Sequence, residues 1–393
     1  MNRKYLRDVA DIQTGPFGSQ LHKEDYVAVG TPIVTVEHLG NRVFTEQNLP
    51  NVSDEDKARL SKYVLAEGDM VFSRVGSVDR CSYVDAAHDG WMFSGRCLRV
   101  RPNSEIDPLY LYYFFCLEET KQFVRSIAVG ATMPSINTKL LGEVEVTFPS
   151  VIDQQKVAAI LSALDEKIET NQKINDNLQQ QAATVFHQWF VANPESEKWP
   201  SVTLGSLTSL VSRGIAPKYT DDSTQIVLNQ KCIRDHYIDI SLARRHNPKV
   251  INEKWLQYGD LLINSTGEGT LGRAAQVWFV PENMTVDSHV TIVRPKDPHL
   301  LFYIGLWGIS HEREIEALHT GSTGQTELPR ERVKAMELRL PDNDTLARFN
   351  AVIAPIVSLI ITNQQENERL ASVRDSLLPK LMSGEIDVSD IQL

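Results

Sequence analysis

The sequence repeats itself once, at a nearly constant shift of 191 to 193 residues. The matching pairs are 65–72 (LAEGDMVF) with 256–263 (LQYGDLLI), Gly130 with Gly321, 100–102 (VRP) with 293–295, and 170–172 (TNQ) with 362–364. Four matches in the same order indicate a tandem duplication, because chance matches would not keep one spacing. Each copy then consists of a globular part followed by a helical part.

Both globular parts are predicted to be rich in β-structure. Short apolar runs separated by Gly, Pro and Asn are typical of strands. The predicted strands are 32–36, 70–73, 98–100 and 144–148 in the first copy, and 226–228, 261–264, 290–293 and 336–340 in the second. One helical stretch is predicted in each copy, over 109–126 and 300–318.

The helical parts carry the 3.5-residue apolar repeat that is typical of a coiled-coil seam. The predicted pairing residues are Leu164, Ile168, Asn171, Asn175 and Leu178 in the first helix, and Ile356, Ile360, Asn363, Asn367 and Leu370 in the second. A buried seam asparagine pairs well with another amide and can fix the register. We therefore expect two helices of roughly 35–40 residues, about 50–60 Å long, to pair with each other. Packing in the core of a larger helical bundle is the alternative.

The predicted fold class is α+β, with two β-rich globular domains alternating with two long helices. The predicted domains are 1–150, 151–192, 193–343 and 344–393, and the polar link 193–200 with its two prolines marks a boundary. An antiparallel coiled coil would place the globular domains at opposite ends of a spacer, related by a pseudo-two-fold axis. Pro355 departs from the pattern and is expected to kink or delay the second helix.

Composition restricts the class of protein. The net charge of −11 excludes a basic protein that coats DNA, although a local basic surface can still read a groove. Of the 40 Lys and Arg residues, 32 lie within 1–150 and 200–343. The four cysteines have no C-x-x-C spacing, which argues against a zinc site or a disulfide framework. We predict no signal peptide, because residues 1–6 are polar and basic with no apolar stretch behind them. The longest apolar run, 352–361, is shorter than the ~20 residues of a membrane span, so we predict a cytoplasmic protein.

Candidate catalytic motifs are weak. Residues 267–272 fit G-x-G-x-x-G, but a dinucleotide site needs a following helix, whereas 273–280 predict a strand. His311-Glu312 lacks the second histidine of a metalloprotease motif. Asp287-Ser288-His289 has the residue types of a triad, but adjacent strand residues point to opposite faces. The sequence therefore predicts no enzyme, no metal site and no cofactor bound by this chain.

Matching polar loops leave matching strands in the two copies. Residues 73–77 correspond to 264–268, and 130–137 correspond to 321–326. Gly, Ser, Thr, Asn, Gln and Arg suit base-edge and phosphate contacts, with ordinary surface turns as the alternative. The candidate DNA-contacting residues are Ser19, Lys23, Arg74, Ser77, Arg80, Thr132, Ser135, Asn137, Lys218, Tyr219, Ser265, Thr266, Arg273, Ser322, Thr323 and Gln325.

Three stretches of local sequence carry a family resemblance. Residues 149–157 (PSVIDQQKV), continuing to Trp189-Phe190, resemble the first conserved region of the specificity subunit of Type I restriction–modification systems. Residues 377–386 (LLPKLMSGEI) resemble its closing motif, and 15–19 (GPFGS) resemble the opening of many target recognition domains. The second copy departs from the family because it lacks the Gln-Gln at its helix start.

The resemblance implies that each globular domain is a target recognition domain that reads one half of a bipartite site in double-stranded DNA. It also implies that the helices set the gap and dock two methyltransferase subunits, with restriction subunits as partners in some systems. S-adenosylmethionine, ATP and Mg would be held by partner subunits, and this chain would have no active site. A two-headed non-enzymatic scaffold for proteins or peptides, and an enzyme with one degenerate copy, are the alternatives.

Overall fold

The computed structural model of the chain describes residues 1–391 apart from 17, 19, 248–250, 268 and 322–325, and the side chain of Lys23. The chain divides into two units. Unit 1 consists of Met1–Glu169 and Asn367–Leu393, and unit 2 consists of Thr170–Glu366. Two long helices are each divided between the units, so each unit contains half of both.

Unit 1 is built on two four-stranded sheets. Its strands are β1 (Asn2–Tyr5), β2 (Ala10–Thr14), β3 (Tyr26–Val27), β4 (Thr31–Val34), β5 (Asn51–Val52), β6 (Met70–Ser73), β7 (Cys81–Tyr83), β8 (Met92–Phe93), β9 (Cys97–Pro102) and β10 (Glu145–Phe148). One sheet has the order β2-β9-β6-β7 and is antiparallel throughout. The other has the order β3-β5-β4-β8, with β4 and β8 parallel, and β1 pairs separately with β10.

The helices of unit 1 are α1 (Leu6–Val9), α2 (Asp54–Arg59), α3 (Pro108–Cys116), α4 (Glu118–Ile127), α5 (Thr138–Gly142) and the first half of α6 (Val151–Phe186). All of them except α2 contribute buried residues to one core with the β2-β9-β6-β7 sheet. Asp107 caps α3 by accepting from the N–H groups of Leu109 and Tyr110. The buried aromatic residues of α3 then share one core with Phe72 and Leu98 of the sheet.

Unit 2 repeats this sheet arrangement. Its strands are β11 (Ser201–Thr203), β12 (Thr208–Arg213), β13 (Ile226–Leu228), β14 (Ile233–Arg234), β15 (Tyr237–Ile238), β16 (Arg244–Arg245), β17 (Leu261–Asn264), β18 (Ala274–Gln276), β19 (Met284–Val286), β20 (Val290–Pro295) and β21 (Glu337–Arg339). The antiparallel sheet β12-β20-β17-β18 matches β2-β9-β6-β7, and the parallel pair β13–β19 matches β4–β8. Its helices are α7 (Leu301–Ser310), α8 (Glu312–Ala317), α9 (Arg330–Ala335) and part of α10 (Asn343–Ser383).

A buried ion pair explains why two stretches of sequence recur. In unit 1, Asp69 is 1 % exposed and accepts from Nε and Nη2 of Arg101 at 2.6 Å each. In unit 2, Asp260 is also 1 % exposed and accepts from Nε and Nη2 of Arg294 at 2.7 Å each. Each aspartate follows a glycine with φ of +88° or +89°, which favours glycine. The repeated Gly-Asp and Val-Arg-Pro sequences are therefore joined in space within each unit.

The two long helices contact each other inside each unit. In unit 2, Asn363 Nδ2 donates to Asn175 Oδ1 at 2.8 Å, and Asn171 Nδ2 donates to Glu366 at 2.7 Å. In unit 1, Arg374 Nη1 donates to Asp165 at 2.6 Å, and Asn367 Nδ2 lies 3.4 Å from the Ile168 carbonyl. Within either unit, residue numbers rise along one helix as they fall along the other.

Pro355 is expected from the sequence to kink or delay the second helix, and the prediction of a delay is wrong. α10 begins at Asn343 and continues through Pro355. Pro355 is exposed, so the carbonyl that it leaves without an N–H partner can bind water. Phe349, Ile353 and Val357, on the other face, are fully buried in the core of unit 2. Burial of that face holds the helix together across the proline.

α10 is long and apolar enough, by length and composition, to cross a membrane. Its first half contributes Phe349, Ile353 and Ile360 to the core of unit 2. Its second half contributes Leu381 and Met382 to the core of unit 1. These packed positions give the apolar residues a structural role, so composition is weak evidence for a membrane span.

Candidate nucleic-acid interface

In the antiparallel sheet of unit 1, strand β6 ends where its two neighbours, β7 and β9, begin. The Ser73 N–H donates to the Arg80 carbonyl at 2.9 Å, and the Arg74 N–H donates to the Arg96 carbonyl at 2.8 Å. The loop at 129–136 joins them, because the Ile136 N–H donates to the Arg74 carbonyl at 3.0 Å. We call this arrangement the loop frame of unit 1.

Unit 2 has the same backbone bonds at the corresponding edge, where β17 ends. The Asn264 N–H donates to the Arg273 carbonyl at 2.9 Å, and the Ser265 N–H donates to the His289 carbonyl at 2.8 Å. The Leu328 N–H donates to the Ser265 carbonyl at 2.9 Å. This is the loop frame of unit 2. Arg80 therefore corresponds to Arg273 in position.

The loop at 129–136 is closed tightly on itself. Val129 and Ser135 exchange two backbone hydrogen bonds, of 2.9 and 2.8 Å, and Ser135 Oγ donates to the Val129 carbonyl. Gly130 has φ of +107°, and a Cβ there would lie 2.6 Å from the Met133 carbonyl oxygen. Gly321 has the same φ of +107°. The glycine that opens each loop is therefore required by backbone geometry.

Of the candidates in unit 1, five lie in its loop frame or at the edge of it. Ser77, Arg80 and Thr132 are exposed, whereas Arg74 and Ser135 are half-buried. Arg74 Nη1 donates to the Gly95 carbonyl at 3.1 Å, which holds its guanidinium against the frame. The structure thus brings together residues that are separated by more than 50 positions in the sequence.

Asn137 has a structural role that the candidate assignment did not include. Its Oδ1 accepts from the Leu140 N–H at 2.9 Å and caps α5. Ser19, Ser322, Thr323 and Gln325, and the side chain of Lys23, lie outside the described residues. Those five candidates remain predictions.

Ser265 is wrongly assigned as a DNA contact. Its side chain is fully buried, and its Oγ lies 2.6 Å from Thr291 Oγ1 on the neighbouring strand. The two buried hydroxyl groups satisfy each other's hydrogen bonding. From that position the Ser265 side chain cannot reach a ligand outside the unit. The strand pattern does not show this burial, because it depends on the pairing of β17 with β20.

Thr266 lies at the surface of the unit 2 frame within a small polar cluster. Its Oγ1 donates to Gln230 Oε1 at 3.3 Å and lies 2.8 Å from His289 Nδ1. His289 is exposed, and its backbone N–H donates to Asp287 at 2.9 Å. Burial raises the pKa of Asp287, and this hydrogen bond acts in the opposite direction. Arg273 is half-buried beside them.

Lys218 and Tyr219 form a separate basic surface on unit 2. Both are exposed, and the Arg244 guanidinium lies 3.6 Å from the centre of the Tyr219 ring. The Lys218 carbonyl accepts from the Asn247 N–H at 2.8 Å. These contacts join them to β16 and its flanks, so the structure supports a basic patch there without linking it to the loop frame.

Three further residues of the loop frames, which were not among the predicted candidates, are Arg96, His289 and Gln230. Each is exposed or half-buried in a loop frame. Arg96 and His289 directly precede β9 and β20. These strands pair with β6 and β17, which lead into the polar loops. The available signal was therefore a basic residue just before such a strand. Gln230 is brought to Thr266 by tertiary packing, and no local pattern identifies it.

The described parts of the two loop frames present hydrogen-bond donors and acceptors. A strand, β18, follows the G-x-G-x-x-G sequence, so no helix N-terminus is available there for a pyrophosphate. Over the described residues, no group of three or more His, Cys, Asp and Glu side chains is placed to hold a metal ion. A cavity of about 350 Å³ beside the unit 2 frame is lined by charges of both signs, including Arg213, Lys254 and Glu327.

Comparisons with known proteins agree on one family. Residues 1–180 match the Type I restriction modification DNA specificity domain. The chain is 25 % identical to the Type I restriction enzyme MjaIX specificity subunit of Methanocaldococcus jannaschii, over 99 % of this chain and 94 % of that protein. It is 22 % identical to the HindI specificity subunit of Haemophilus influenzae, over 88 % of this chain and 92 % of that protein.

A solved structure supports the fold. The Type I restriction–modification S subunit from M. genitalium superimposes with a TM-score of 0.57 at 14 % identity, covering 97 % of this chain and 95 % of that chain. This superposition confirms the α+β fold class, and the matches by sequence confirm the predicted resemblance to specificity subunits.

Proposed function

From its similarity to specificity subunits over nearly its whole length, we propose that this chain is itself the specificity subunit of a Type I restriction–modification system, and that it selects the DNA sequence on which such a complex acts. Each unit reads one half of a bipartite site in double-stranded DNA through its loop frame. The recurrence of the loop frame carries this proposal. Two similar backbone frames that present different polar side chains suit the reading of two different sequences.

In this proposal, α6 and α10 form an antiparallel coiled coil and the molecule is a pseudo-two-fold tandem duplication. Support comes from the amide pair of Asn175 and Asn363 and from the recurrence of both asparagines at a shift of 192. The coiled coil then fixes the gap between the half-sites. The exposed faces of its helices dock two methyltransferase subunits, and restriction subunits join where the system has them.

The chemistry lies with the partners in this proposal. S-adenosylmethionine, ATP and Mg are bound by methyltransferase and restriction subunits, and this chain contributes recognition without catalysis. The complex works in the cytoplasm, where it has access to DNA. The loop frames support this division of roles, because their side chains are suited to contact with bases and phosphates.

The test is an exchange of residues 200–343 for the equivalent part of a related subunit, followed by mapping of methylated positions with the partner subunits present. One half of the recognised sequence should change and the other should stay. If both halves change, the units do not read independently. If binding to DNA is insensitive to salt and sequence, the chain acts as a protein-binding scaffold and the proposal fails.

A second arm tests the spacer. One heptad inserted after Asn175 and one after Asn363 lengthen both helices by about 10 Å, and a base-pair step is about 3.4 Å. The variant should keep both half-sites but prefer a gap about three base pairs longer. Seven residues inserted in the link 193–200 are the control and should leave the gap unchanged. An unchanged gap in the double-heptad variant would rule out the helices as the ruler.

A further inference from the structure

Two positions of the loop frame can be compared between the units. One holds the same residue type in both units, and the other holds different residue types. Arg80 and Arg273 occupy the same position and are the same residue type. Arg96 and His289 also occupy the same position, because each carbonyl accepts from the first residue after β6 or β17, but they differ in type. Two half-sites share their phosphate backbone and differ in their bases.

We propose that Arg96 and His289 are the specificity-determining residues of their units, and that Arg80 and Arg273 bind phosphate independently of sequence. This inference rests on the proposed function and divides its interface into two roles. A side chain that serves the shared backbone can be the same in both units. A side chain that reads a base must differ where the bases differ.

The charge distribution of residues 1–150 supports the assignment. Arg80 and Arg96 are exposed and form no ion pair with a described residue. The ion-paired arginines of this region are Arg3, Arg7, Arg42, Arg59, Arg99, Arg101 and Arg125. Among the described arginines of this region, Arg80 and Arg96 are thus exposed at the loop frame without an ion pair to a described residue, and an anionic ligand there would neutralise them.

The spacing suits a DNA groove. Arg80 precedes β7 and Arg96 precedes β9, and these strands flank β6 on either side. Neighbouring strands are about 4.8 Å apart, so the two residues start about 10 Å from each other. The major groove is about 12 Å wide, so one of two such side chains can reach a base while the other meets the phosphate wall.

The chemistry of each reader predicts the base that it contacts. Arginine donates two hydrogen bonds to O6 and N7 of guanine, so Arg96 should read guanine. In unit 2, the Thr266 hydroxyl donates its one hydrogen to Gln230, so His289 Nδ1 donates to Thr266. In the tautomer with its hydrogen on Nδ1, the His289 ring presents Nε2 as an acceptor. His289 should therefore read the amino group of adenine or cytosine.

The experiment uses the complex with its methyltransferase subunits and synthetic duplexes that carry the mapped site or single-base changes. Arg96→Ala should reduce discrimination at one G·C pair of one half-site by roughly 5–150-fold and leave the other half-site unchanged. His289→Ala should do the same in the other half-site, at a base with an amino group. Arg80→Ala and Arg273→Ala should weaken binding to all sequences alike and reduce the salt slope by about 0.9 each.

Arg3→Ala is the matched control, because Arg3 is exposed but paired with Glu145 at 3.6 Å. It should change neither discrimination nor the salt slope. The inference is overturned if Arg96→Ala leaves discrimination intact, if the affected pair is not G·C, or if Arg80→Ala alters the preferred sequence. If the unaltered complex shows no sequence preference, the proposed function itself fails.

Discussion

The two units share their backbone frame and differ in the side chains that the frame presents. In unit 1 the edge carries Arg74, Arg80 and Arg96, whereas the same positions in unit 2 hold Ser265, Arg273 and His289. The supporting bonds are between backbone groups, so they do not depend on these side chains. The comparison teaches that the side chains presented at these strand ends can vary while the strands that hold them stay the same.

The largest expected effect concerns the buried ion pair at the other end of the strands that carry each loop frame. Arg294→Ala would leave the Asp260 carboxylate buried without its partner, which costs about 3–5 kcal/mol of unfolding free energy. Arg101→Ala should cost less, because the Arg101 side chain is 40 % exposed and that of Arg294 is 12 % exposed. Chemical denaturation of both variants measures the difference, and equal losses would contradict the argument from burial.

The Arg294→Ala variant also has a predicted pH dependence. Burial raises the pKa of Asp260 in the folded protein, and Arg294 opposes that rise. Without Arg294, the folded state holds the proton more tightly than the unfolded chain does. The stability of the variant should therefore fall as pH rises above about 4, the ordinary pKa of aspartate. Its loss relative to the parent should be greater at pH 8 than at pH 5.

The recurring sequence made several strands of the two units predictable. Strands 70–73, 226–228 and 261–264 were confirmed at their predicted bounds, because short apolar runs flanked by turn residues occur at the same spacing twice. The burial of Ser265 was not predictable, since it depends on which strands become neighbours, whereas Arg96 carried the signal of a basic residue directly before a strand. Pro355 misled the prediction because local propensity omits the tertiary burial of the opposite helix face.

The asparagines of the long helices should also differ between the units, with losses of stability smaller than that of the Arg294→Ala variant. In unit 2, Asn175 is 2 % exposed and paired with Asn363, so Asn175→Ala should cost about 1–3 kcal/mol by leaving a buried amide unpaired. In unit 1, Asn367 is half-buried, and Asn367→Ala should cost less. Replacing Asn175 and Asn363 together with leucine should be neutral or stabilising. Thermal unfolding of the three variants checks this order, and a costly leucine pair would contradict it.

The smallest expected loss of stability concerns α5 and α9, the helices that follow the loops opened by Gly130 and Gly321. Asn137 caps α5, whereas Pro329 precedes α9 and makes no side-chain cap. Asn137→Ala should therefore cost about 1 kcal/mol of stability and leave DNA affinity unchanged. Pro329→Ala is the matched change without a lost cap. A large fall in affinity for Asn137→Ala at unchanged stability would return Asn137 to the DNA contacts.

The division of the long helices between the units has a consequence for synthesis on the ribosome. Unit 2 is one continuous stretch, Thr170–Glu366, so all of its sequence is available before the last residues are made. Unit 1 completes its core later than unit 2. Its residues Leu381, Met382 and Val388 are made near the end of synthesis and pack in one core with Leu6 and Phe72. The first part of the nascent chain is thus the last to complete its core, and it needs protection from aggregation for the longest time.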